Sequence, residues 1–234
     1  MTTPPDKTPD RIAGMFDAIA PRYDLLNHVL SAGVDRRWRA KAIRSLQLTG
    51  RETLLDVCTG TADIALQARD ASRVIGVDFA AAMLSVGRRK LLAAREDQRL
   101  TLVRGDATCL PIRDASVDVA TVAFGIRNVE RPELACAEMV RVMRRGGRLA
   151  ILEFGVTRVP GISTLYLWYF KYLLPAVGRM VSGHTAAYSY LPASVGTFSP
   201  PDEFVAILEQ AGFVHVRADP LTFGIAYLYT ATKR

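Results

Sequence analysis

Short runs rich in β-branched and other apolar residues alternate with amphipathic segments between residues 53 and 154. The runs are typical of buried strands, and the segments between them carry apolar residues at three- and four-residue spacing, which is typical of helices. Strands and helices that alternate in this way form a parallel sheet, because each helix crosses back over it. The pattern therefore predicts an α/β fold, with strands at residues 53–58, 73–78, 100–106, 117–124 and 147–154.

Helices are predicted between these strands and after the last of them. Pro200-Pro201 is typical of a helix start, and Gly212 is typical of a helix end. We place helices at residues 61–69, 81–95, 133–143 and 203–210, and a terminal pair of strands at residues 214–218 and 223–230.

The charge of the chain is basic. Its 234 residues include 30 basic and 23 acidic ones, which gives a formal net charge of +7 and a pI of about 9.6. This balance suits an anionic partner such as a nucleic acid or an acidic membrane surface, but the arginines are scattered and form no polybasic run. Half of the residues are hydrophobic and 23% are charged, which excludes a disordered chain or a coiled-coil rod and predicts one globular domain.

The three cysteines, Cys58, Cys109 and Cys136, show no C-x-x-C spacing. They predict neither a disulfide framework nor a zinc site, and they fit a reducing, cytoplasmic compartment. No metal is expected. Residues 1–10 are polar and Pro-rich, without the apolar stretch of a secretory signal, so we expect a disordered lead-in there.

The most apolar stretch lies at residues 161–181 and has the length of a membrane span. Lys171, Pro175 and Arg179 interrupt it, and a spanning helix would place two cations and a helix breaker in lipid. A covering helix with one apolar face is the preferred interpretation, and contact with a membrane surface is the second. Aromatic residues suited to a lipid interface or an apolar pocket are concentrated here: Tyr166, Trp168, Tyr169, Phe170 and Tyr172.

Polar residues end the first three predicted strands, at the edge where open α/β sheets bind ligands. The first strand leads into Thr59-Gly60-Thr61-Ala62, a turn of small residues that lets a ligand approach the backbone closely. The second ends at Asp78, about 20 residues after Asp56, where a carboxylate can accept both hydroxyls of a ribose. The third ends at Asp106-Ala107, where the carboxylate can accept adenine amino hydrogens and the next N–H can donate to the ring.

These three strand ends together favour an adenosine ligand. The turn after the first strand is poor in glycine, which disfavours the pyrophosphate of a dinucleotide and hence a Rossmann dehydrogenase. S-adenosylmethionine carries an adenine, a ribose diol and a sulfonium, and it needs no phosphate cradle. For each acid taken alone, an ordinary surface turn is the alternative.

Four stretches carry a resemblance to a known family. They are Tyr23-Asp24-Leu25-Leu26-Asn27, Ala123-Phe124-Gly125-Ile126-Arg127-Asn128-Val129, Arg141-Val142-Met143-Arg144-Arg145-Gly146-Gly147 and Tyr188-Ser189-Tyr190-Leu191-Pro192-Ala193-Ser194-Val195. With them, nearly the whole chain resembles the class I S-adenosylmethionine methyltransferases, and within these the C-methyltransferases of menaquinone and ubiquinone biosynthesis. Phe-Gly-Ile-Arg-Asn-Val is the specific stretch, whereas Asp-x-x-x-Gly-Thr and Gly-Gly recur in many methyltransferases.

The resemblance implies a Rossmann-like fold, with a mostly parallel seven-stranded sheet, helices on both faces and an antiparallel C-terminal strand pair. We expect one methyltransferase domain at residues 11–234, with an N-terminal helical cap at 11–50 and a substrate-covering insertion at 156–198. S-adenosylmethionine is the implied methyl donor and a polyprenylated quinol the implied acceptor. Demethylmenaquinol is preferred as the acceptor, and a ubiquinone precursor is the alternative.

The implied cofactor positions coincide with the strand ends described above. By the resemblance, Thr61, Asp78, Asp106 and Ala107 bind S-adenosylmethionine, and Gly60 belongs to the same turn as Thr61.

Methyl transfer to a quinol ring needs a nucleophilic carbon, and loss of a phenolic proton makes the ortho carbon more nucleophilic. Arg127 and Asn128 follow the fourth strand, where their donors could hold the developing phenolate. The alternative for Arg127 is an ion pair that organises the loop. Tyr23 and Asp24 belong to a segment that could fold over the crevice and contact the ring, with helix packing and capping as their alternatives.

Other functions stay open on the sequence alone. Nucleic-acid methylation is disfavoured, because Phe124-Gly125-Ile126 stands where cytosine or adenine methylation would need its own signature, so no nucleic-acid partner is expected. A methyltransferase for a small soluble phenol, sterol or amine and a catalytically silent adenosine-binding module remain alternatives. Peripheral contact with the inner face of the cell membrane is expected from a lipid substrate, and the oligomeric state is not predicted.

Overall fold

The computed structural model describes residues 6–25, 31, 33–157, 190 and 193–234. The strands in these residues are β1 (Thr53–Val57), β2 (Arg73–Asp78), β3 (Leu100–Arg104), β4 (Val117–Ala123), β5 (Met143–Phe154), β6 (Phe213–Leu221) and β7 (Ala226–Lys233). They form one seven-stranded sheet in the order β3-β2-β1-β4-β5-β7-β6. Strands β1 to β5 pair in parallel, and β7 runs antiparallel to both β5 and β6. The predicted mostly parallel sheet with an antiparallel C-terminal pair is confirmed.

Six α-helices have described bounds, and short 3₁₀ turns accompany them. The helices are α1 (Pro9–Ile19), α2 (Val34–Ser45), α3 (Asp63–Gln67), α4 (Ala81–Ala94), α5 (Pro132–Val142) and α6 (Pro201–Ala211). The 3₁₀ turns are Ala20–Arg22, Ile126–Asn128 and Thr222–Gly224.

The core lies on both faces of the sheet, because side chains alternate along each strand. On β1, Leu54 packs with α2, α3 and α4 on one face, while Leu55 and Val57 pack with α5 and α6 on the other. All three side chains are fully buried, and burial of each contributes about 1.5–3 kcal/mol. Burial on both faces explains why these strands are continuous apolar runs rather than alternating ones.

Strand β5 begins at Met143, before the predicted start at residue 147. The pairing of β4 with β5 shifts register between Val117 and Val119, so the Gly146–Gly147 pair lies in a bulge of this strand. A Cβ on Gly147 would lie 2.8 Å from the carbonyl oxygen of Asp118, so only glycine allows this close approach.

The C-terminal strands also differ from their predicted bounds. Strand β6 continues to Leu221, and β7 begins only at Ala226, because a 3₁₀ turn with a left-handed Phe223 (φ 59°) separates them. Strand β6 contains Pro220, which its position at the edge of the sheet allows.

The predicted lead-in at residues 1–10 and the predicted insertion at 156–198 are only partly covered by the described residues. Pro9 and Asp10 already belong to α1, so the predicted disordered lead-in at residues 1–10 is wrong for these two residues. The apolar segment 161–181, and most of the predicted insertion at 156–198, lies outside the described residues. Within the described part of the chain, no helix has the length and apolar character needed to cross a membrane.

Candidate active site

A cavity opens where the order of the sheet reverses, at the carboxyl ends of β1 and β4. Strands β2 and β3 follow on one side of this point and β5 on the other, which is the arrangement that places ligand sites in open α/β sheets. The cavity encloses about 870 Å³ of empty space, including the part open to solvent. The sheet side of its lining includes Gly60, Asp78, Asp106, Phe124 and Asn128, and the N-terminal segment contributes Lys7, Ile12, Phe16 and Tyr23.

The loop after β1 is held in an unusual backbone conformation. Cys58, Gly60 and Ala62 all have positive φ angles, of 55°, 55° and 67°. This loop packs directly against the loop after β4, since a Cβ on Gly125 would lie 2.3 Å from the Cβ of Cys58. Helix α3 therefore starts at Asp63, two residues later than the predicted start.

Asp78 connects the first two strand ends. Its carboxylate accepts hydrogen bonds from the Gly60 N–H at 2.8 Å and from the Ala80 N–H at 2.9 Å, and it lines the cavity with 7% of its surface exposed. Burial raises the pKa of Asp78, and these backbone hydrogen bonds oppose the rise. Each carboxylate oxygen has a further lone pair, so Asp78 can still accept ribose hydroxyls.

Asp56 lies behind the loop after β1 and does not line the cavity. It is fully buried, and its Oδ2 accepts a hydrogen bond from the Thr59 hydroxyl at 2.6 Å. Burial raises the pKa of Asp56 to about 7, while the bond from Thr59 and the charge of Arg39 oppose the rise.

Asp106 and Ala107 lie just after β3, which ends at Arg104, two residues before its predicted end, and both line the cavity. The Oδ1 atom of Asp106 accepts hydrogen bonds from the backbone N–H and the hydroxyl of Thr108, at 2.7 and 2.8 Å. This fixes the carboxylate and leaves Oδ2 for a ligand donor. Ala107 is buried, and its N–H has no hydrogen-bond partner among the described residues.

Thr61 and Asp24 lie together, but neither belongs to the cavity lining. The Thr61 hydroxyl donates to Asp24 at 2.5 Å, and the Lys90 ammonium donates to Asp24 at 2.8 Å. Lys90 also pairs with Asp63 at the start of α3. Asp24 therefore ties the N-terminal segment to the loop after β1, while its neighbour Tyr23 lines the cavity.

Arg127 and Asn128 lie in the turn after β4, and only Asn128 reaches the cavity lining. The Arg127 guanidinium is buried and donates to Glu153 at 2.7 Å and to the Phe124 carbonyl at 2.5 Å. This is the loop-organising ion pair considered as the alternative for Arg127. Asn128 donates weakly to Phe124, and its Oδ1 is buried without a hydrogen-bond partner in the described part of the chain.

An aromatic cluster backs this turn. Phe124, which lines the cavity, has a positive φ of 59° and stacks on Phe154 at a centroid distance of 4.4 Å. The Trp38 ring lies 6.2 Å from Phe124 and 6.3 Å from Phe154, and its Nε1–H donates to the Thr222 hydroxyl at 3.0 Å. A non-glycine residue in this strained conformation is typical of a functional loop held by its surroundings.

Sequence reasoning missed two contributors to the site. Lys7 lines the cavity although it falls in the predicted lead-in, where a single lysine among prolines gives no pattern. Glu153 falls inside the predicted strand at residues 147–154, and its role as the partner of Arg127 depends on the pairing of β4 with β5. We find no group of three or more His, Cys, Asp or Glu side chains that could hold a metal ion among the residues described.

The sheet order, with Asp78 and Asp106 at neighbouring strand ends, defines a Rossmann-like architecture. Solved structures that share it include the [4+2]-cyclase SpnF, with a TM-score of 0.74 and 17% identity over 99% of both chains, and an S-adenosylmethionine-dependent methyltransferase of Thermotoga maritima. The latter has a TM-score of 0.66 and 17% identity over 94% of this chain and 99% of that one. These likenesses concern the fold alone, which hosts more than one chemistry.

The chain belongs to the ubiE/COQ5 methyltransferase family, whose sequence model matches residues 5–233. A ubiquinone/menaquinone biosynthesis C-methyltransferase of Syntrophotalea carbinolica is 45% identical, over 94% of this chain and 92% of the relative. A demethylmenaquinone methyltransferase of Thermus thermophilus is 41% identical, over 94% of this chain and all of the relative. The resemblance read from the sequence is confirmed, and the protein is an S-adenosylmethionine-dependent methyltransferase.

Proposed function

We propose that this enzyme transfers a methyl group from S-adenosylmethionine to a ring carbon of a polyprenylated quinol, demethylmenaquinol, in menaquinone biosynthesis. The observation that carries the proposal is one cavity whose lining includes both the strand ends suited to adenosine, with Gly60, Asp78 and Asp106, and aromatic and amide side chains suited to a ring. The relatives named for menaquinone and ubiquinone biosynthesis support this class of acceptor. Because some of these names include ubiquinone, a ubiquinone precursor is the second candidate.

The residues at the first three strand ends fit S-adenosylmethionine. Asp78 offers carboxylate lone pairs for the ribose diol. The Ala107 N–H and Asp106 Oδ2, which have no hydrogen-bond partner among the described residues, suit the edge of an adenine. The left-handed Gly60 has no atom within 4 Å of a Cβ position, so the loop leaves open space beside the ligand. Thr61 contributes by holding this loop to Asp24.

The acceptor end of the cavity lies between the turn after β4 and the N-terminal segment. Tyr23 packs edge-on against Phe16, with ring centroids 6.1 Å apart, and both rings line the cavity and pack with Ala80 and Met83 at the start of α4. A flat aromatic ring fits such walls. We assign Tyr23 and Asn128 to contact with the quinol ring.

Bound S-adenosylmethionine supplies an electrophilic methyl group on a sulfonium. The protein must align the ring carbon with it, and positioning of this kind contributes up to about 7–11 kcal/mol to catalysis. Arg127 holds the turn that carries Asn128, through its bonds to Phe124 and Glu153, and Asp24 holds the segment that carries Tyr23. Asn128 lines the cavity, and the amide hydrogen that it does not share with Phe124 can donate to a ring oxygen, which fixes the orientation of the quinol.

The substrate also suggests where the enzyme works. A polyprenyl tail keeps the acceptor in the bilayer, so we place the enzyme in the cytoplasm with peripheral contact at the inner face of the membrane. The apolar, aromatic segment 161–181, within the proposed substrate-covering insertion 156–198, is the candidate for that contact.

The test is transfer of a labelled methyl group from S-adenosylmethionine to demethylmenaquinone, run in parallel with the ring oxidised and chemically reduced. We expect label on the reduced ring alone, because only a quinol can lose a phenolic proton and become nucleophilic at carbon. A reduced ubiquinone precursor in a third reaction decides between the two acceptors. Binding of S-adenosylhomocysteine without label on any quinol would refute the proposal.

A further inference from the structure

Lys7 is a half-buried cation that lines the cavity. Two basic residues belong to the described cavity lining, and of these Arg131 is exposed whereas Lys7 is half-buried. The nearest acid in sequence, Asp6, is already paired with Arg11 at 3.0 Å. No carboxylate pairs with Lys7 among the residues that the structure describes.

Lys7 lines the same cavity as Phe124 and Asn128, the residues that the proposed function assigns to the acceptor end. Burial and the Arg127 guanidinium lower the pKa of Lys7, and the Glu153 carboxylate opposes this change. Since Arg127 and Glu153 neutralise each other at 2.7 Å, neither satisfies the charge of Lys7. A half-buried cation that remains unpaired is costly, so the site is suited to an anionic ligand group.

We propose that the Lys7 ammonium binds the ionised ring hydroxyl of the acceptor during methyl transfer. The inference rests on the proposed function, because it requires a quinol as the acceptor. The two cations then have different roles. Arg127 organises the turn after β4, and Lys7 supplies the positive charge that binds the phenolate.

The reaction balances without any further reagent. The ring hydroxyl gives its proton to water, and Lys7 stabilises the resulting oxyanion. The ortho carbon then forms a bond to the methyl carbon while the carbon–sulfur bond breaks, and the electron pair of that bond passes to sulfur. Loss of the proton on the ortho carbon restores the aromatic ring, and the oxyanion is reprotonated from water. The sum is one methyl group transferred and one proton released.

Binding of an anionic ring separates this role from a structural one. The probes are 2-hydroxy-1,4-naphthoquinone, which is an anion at neutral pH, and the uncharged 1,4-naphthoquinone, each titrated by calorimetry into enzyme saturated with S-adenosylhomocysteine. We expect Lys7→Met to weaken binding of the anion by about 10-fold or more and to leave the neutral probe unchanged, because a hydrogen bond to a charged group is lost. Lys7→Arg should retain most of the affinity, and Lys41→Met, on the exposed face of α2, is the matched control.

The same variants are assayed for methyl transfer to the reduced quinol. Removal of an oxyanion donor costs about 100-fold in kcat. Equal loss of affinity for both probes, or unchanged affinity for the anion, would overturn the assignment of Lys7. Weaker binding of S-adenosylhomocysteine itself would do so too, because Lys7 would then serve the cofactor carboxylate. A wild-type enzyme that methylates no reduced quinol would instead overturn the proposed function, and this inference with it.

Discussion

Replacement of Glu153 by glutamine should destabilise the protein far more than replacement of an exposed acid. Glu153 has no exposed surface, and its carboxylate accepts hydrogen bonds from Arg127 Nη1 at 2.7 Å, from the Phe154 N–H at 2.8 Å and from the Arg127 N–H at 3.2 Å. Glutamine keeps the volume but leaves the buried guanidinium of Arg127 without a counter-charge. Breaking a buried ion pair in this way costs about 3–5 kcal/mol.

We take the lower end of this range, about 3 kcal/mol, because the glutamine carbonyl can still accept one hydrogen bond. For a chain of this size each kcal/mol lowers the Tm by about 2–4 °C, so a decrease of about 6–12 °C is expected. The assay is urea unfolding at pH 7, read by circular dichroism, with the slope m unchanged between variants. A double variant with Arg127→Met should recover at least about 1.5 kcal/mol relative to the sum of the single changes.

The control is Asp219→Asn, which removes an exposed pair with Arg217 at 3.8 Å and should change the free energy of unfolding by less than about 0.5 kcal/mol. A change of the same small size for Glu153→Gln would refute the idea that the Arg127–Glu153 pair holds the turn after β4. Strict additivity of Glu153→Gln with Arg127→Met would refute it too.

Three further outcomes follow from the site. Asp78→Asn should weaken binding of S-adenosylhomocysteine by about 10-fold or more in calorimetry, because it removes a charged acceptor for the ribose diol. The pKa of Asp56 is raised from its usual 3.8 to about 7, so between these pH values the folded state holds a proton that the unfolded state has lost. The free energy of unfolding should therefore fall as pH rises through this window. In Asp56→Asn this decrease with pH should be smaller. Gly125→Ala should cost about 1–3 kcal/mol in urea unfolding, because the new Cβ would lie 2.3 Å from that of Cys58, whereas Gly14→Ala has no atom within 4 Å and is the control.

Each of these outcomes can fail in a specific way. Unchanged affinity in Asp78→Asn would show that the ribose lies elsewhere. An equal slope of stability against pH in wild type and Asp56→Asn would show that Asp56 is ionised when folded throughout this range. Equal stability of Gly125→Ala and Gly14→Ala would show that the two loops can separate without loss.

Much of the sheet is readable from the sequence, because each of its central strands is buried on both faces. Leu54 and Leu55 must both be apolar when helices cover both sides, and the acids that follow such runs fall at one edge. Asp78 and Asp106 were found in this way. The start of β5 at Met143 was missed, because a bulge adds residues to a strand without changing the pattern that predicts it.

The partners of the predicted residues were not readable, because they come from distant parts of the chain. Arg127 meets Glu153 across two paired strands, and Asp24 meets Thr61 and Lys90 across the packing of the N-terminal segment on the sheet. The sequence places each residue near the site but does not show which of the charged side chains form ion pairs with other residues of the protein. Contacts of this kind follow from register and packing, which local patterns do not specify.

The aromatic cluster behind the cavity gives the enzyme a built-in optical reporter. Trp38 is one of two tryptophans in the chain, and its indole lies 6.2 Å from Phe124, a residue of the cavity wall. A Trp168→Phe protein would therefore carry a single indole, whose emission responds to the loop after β4. Its fluorescence would follow the occupancy of the cavity continuously, without a labelled ligand and without turnover.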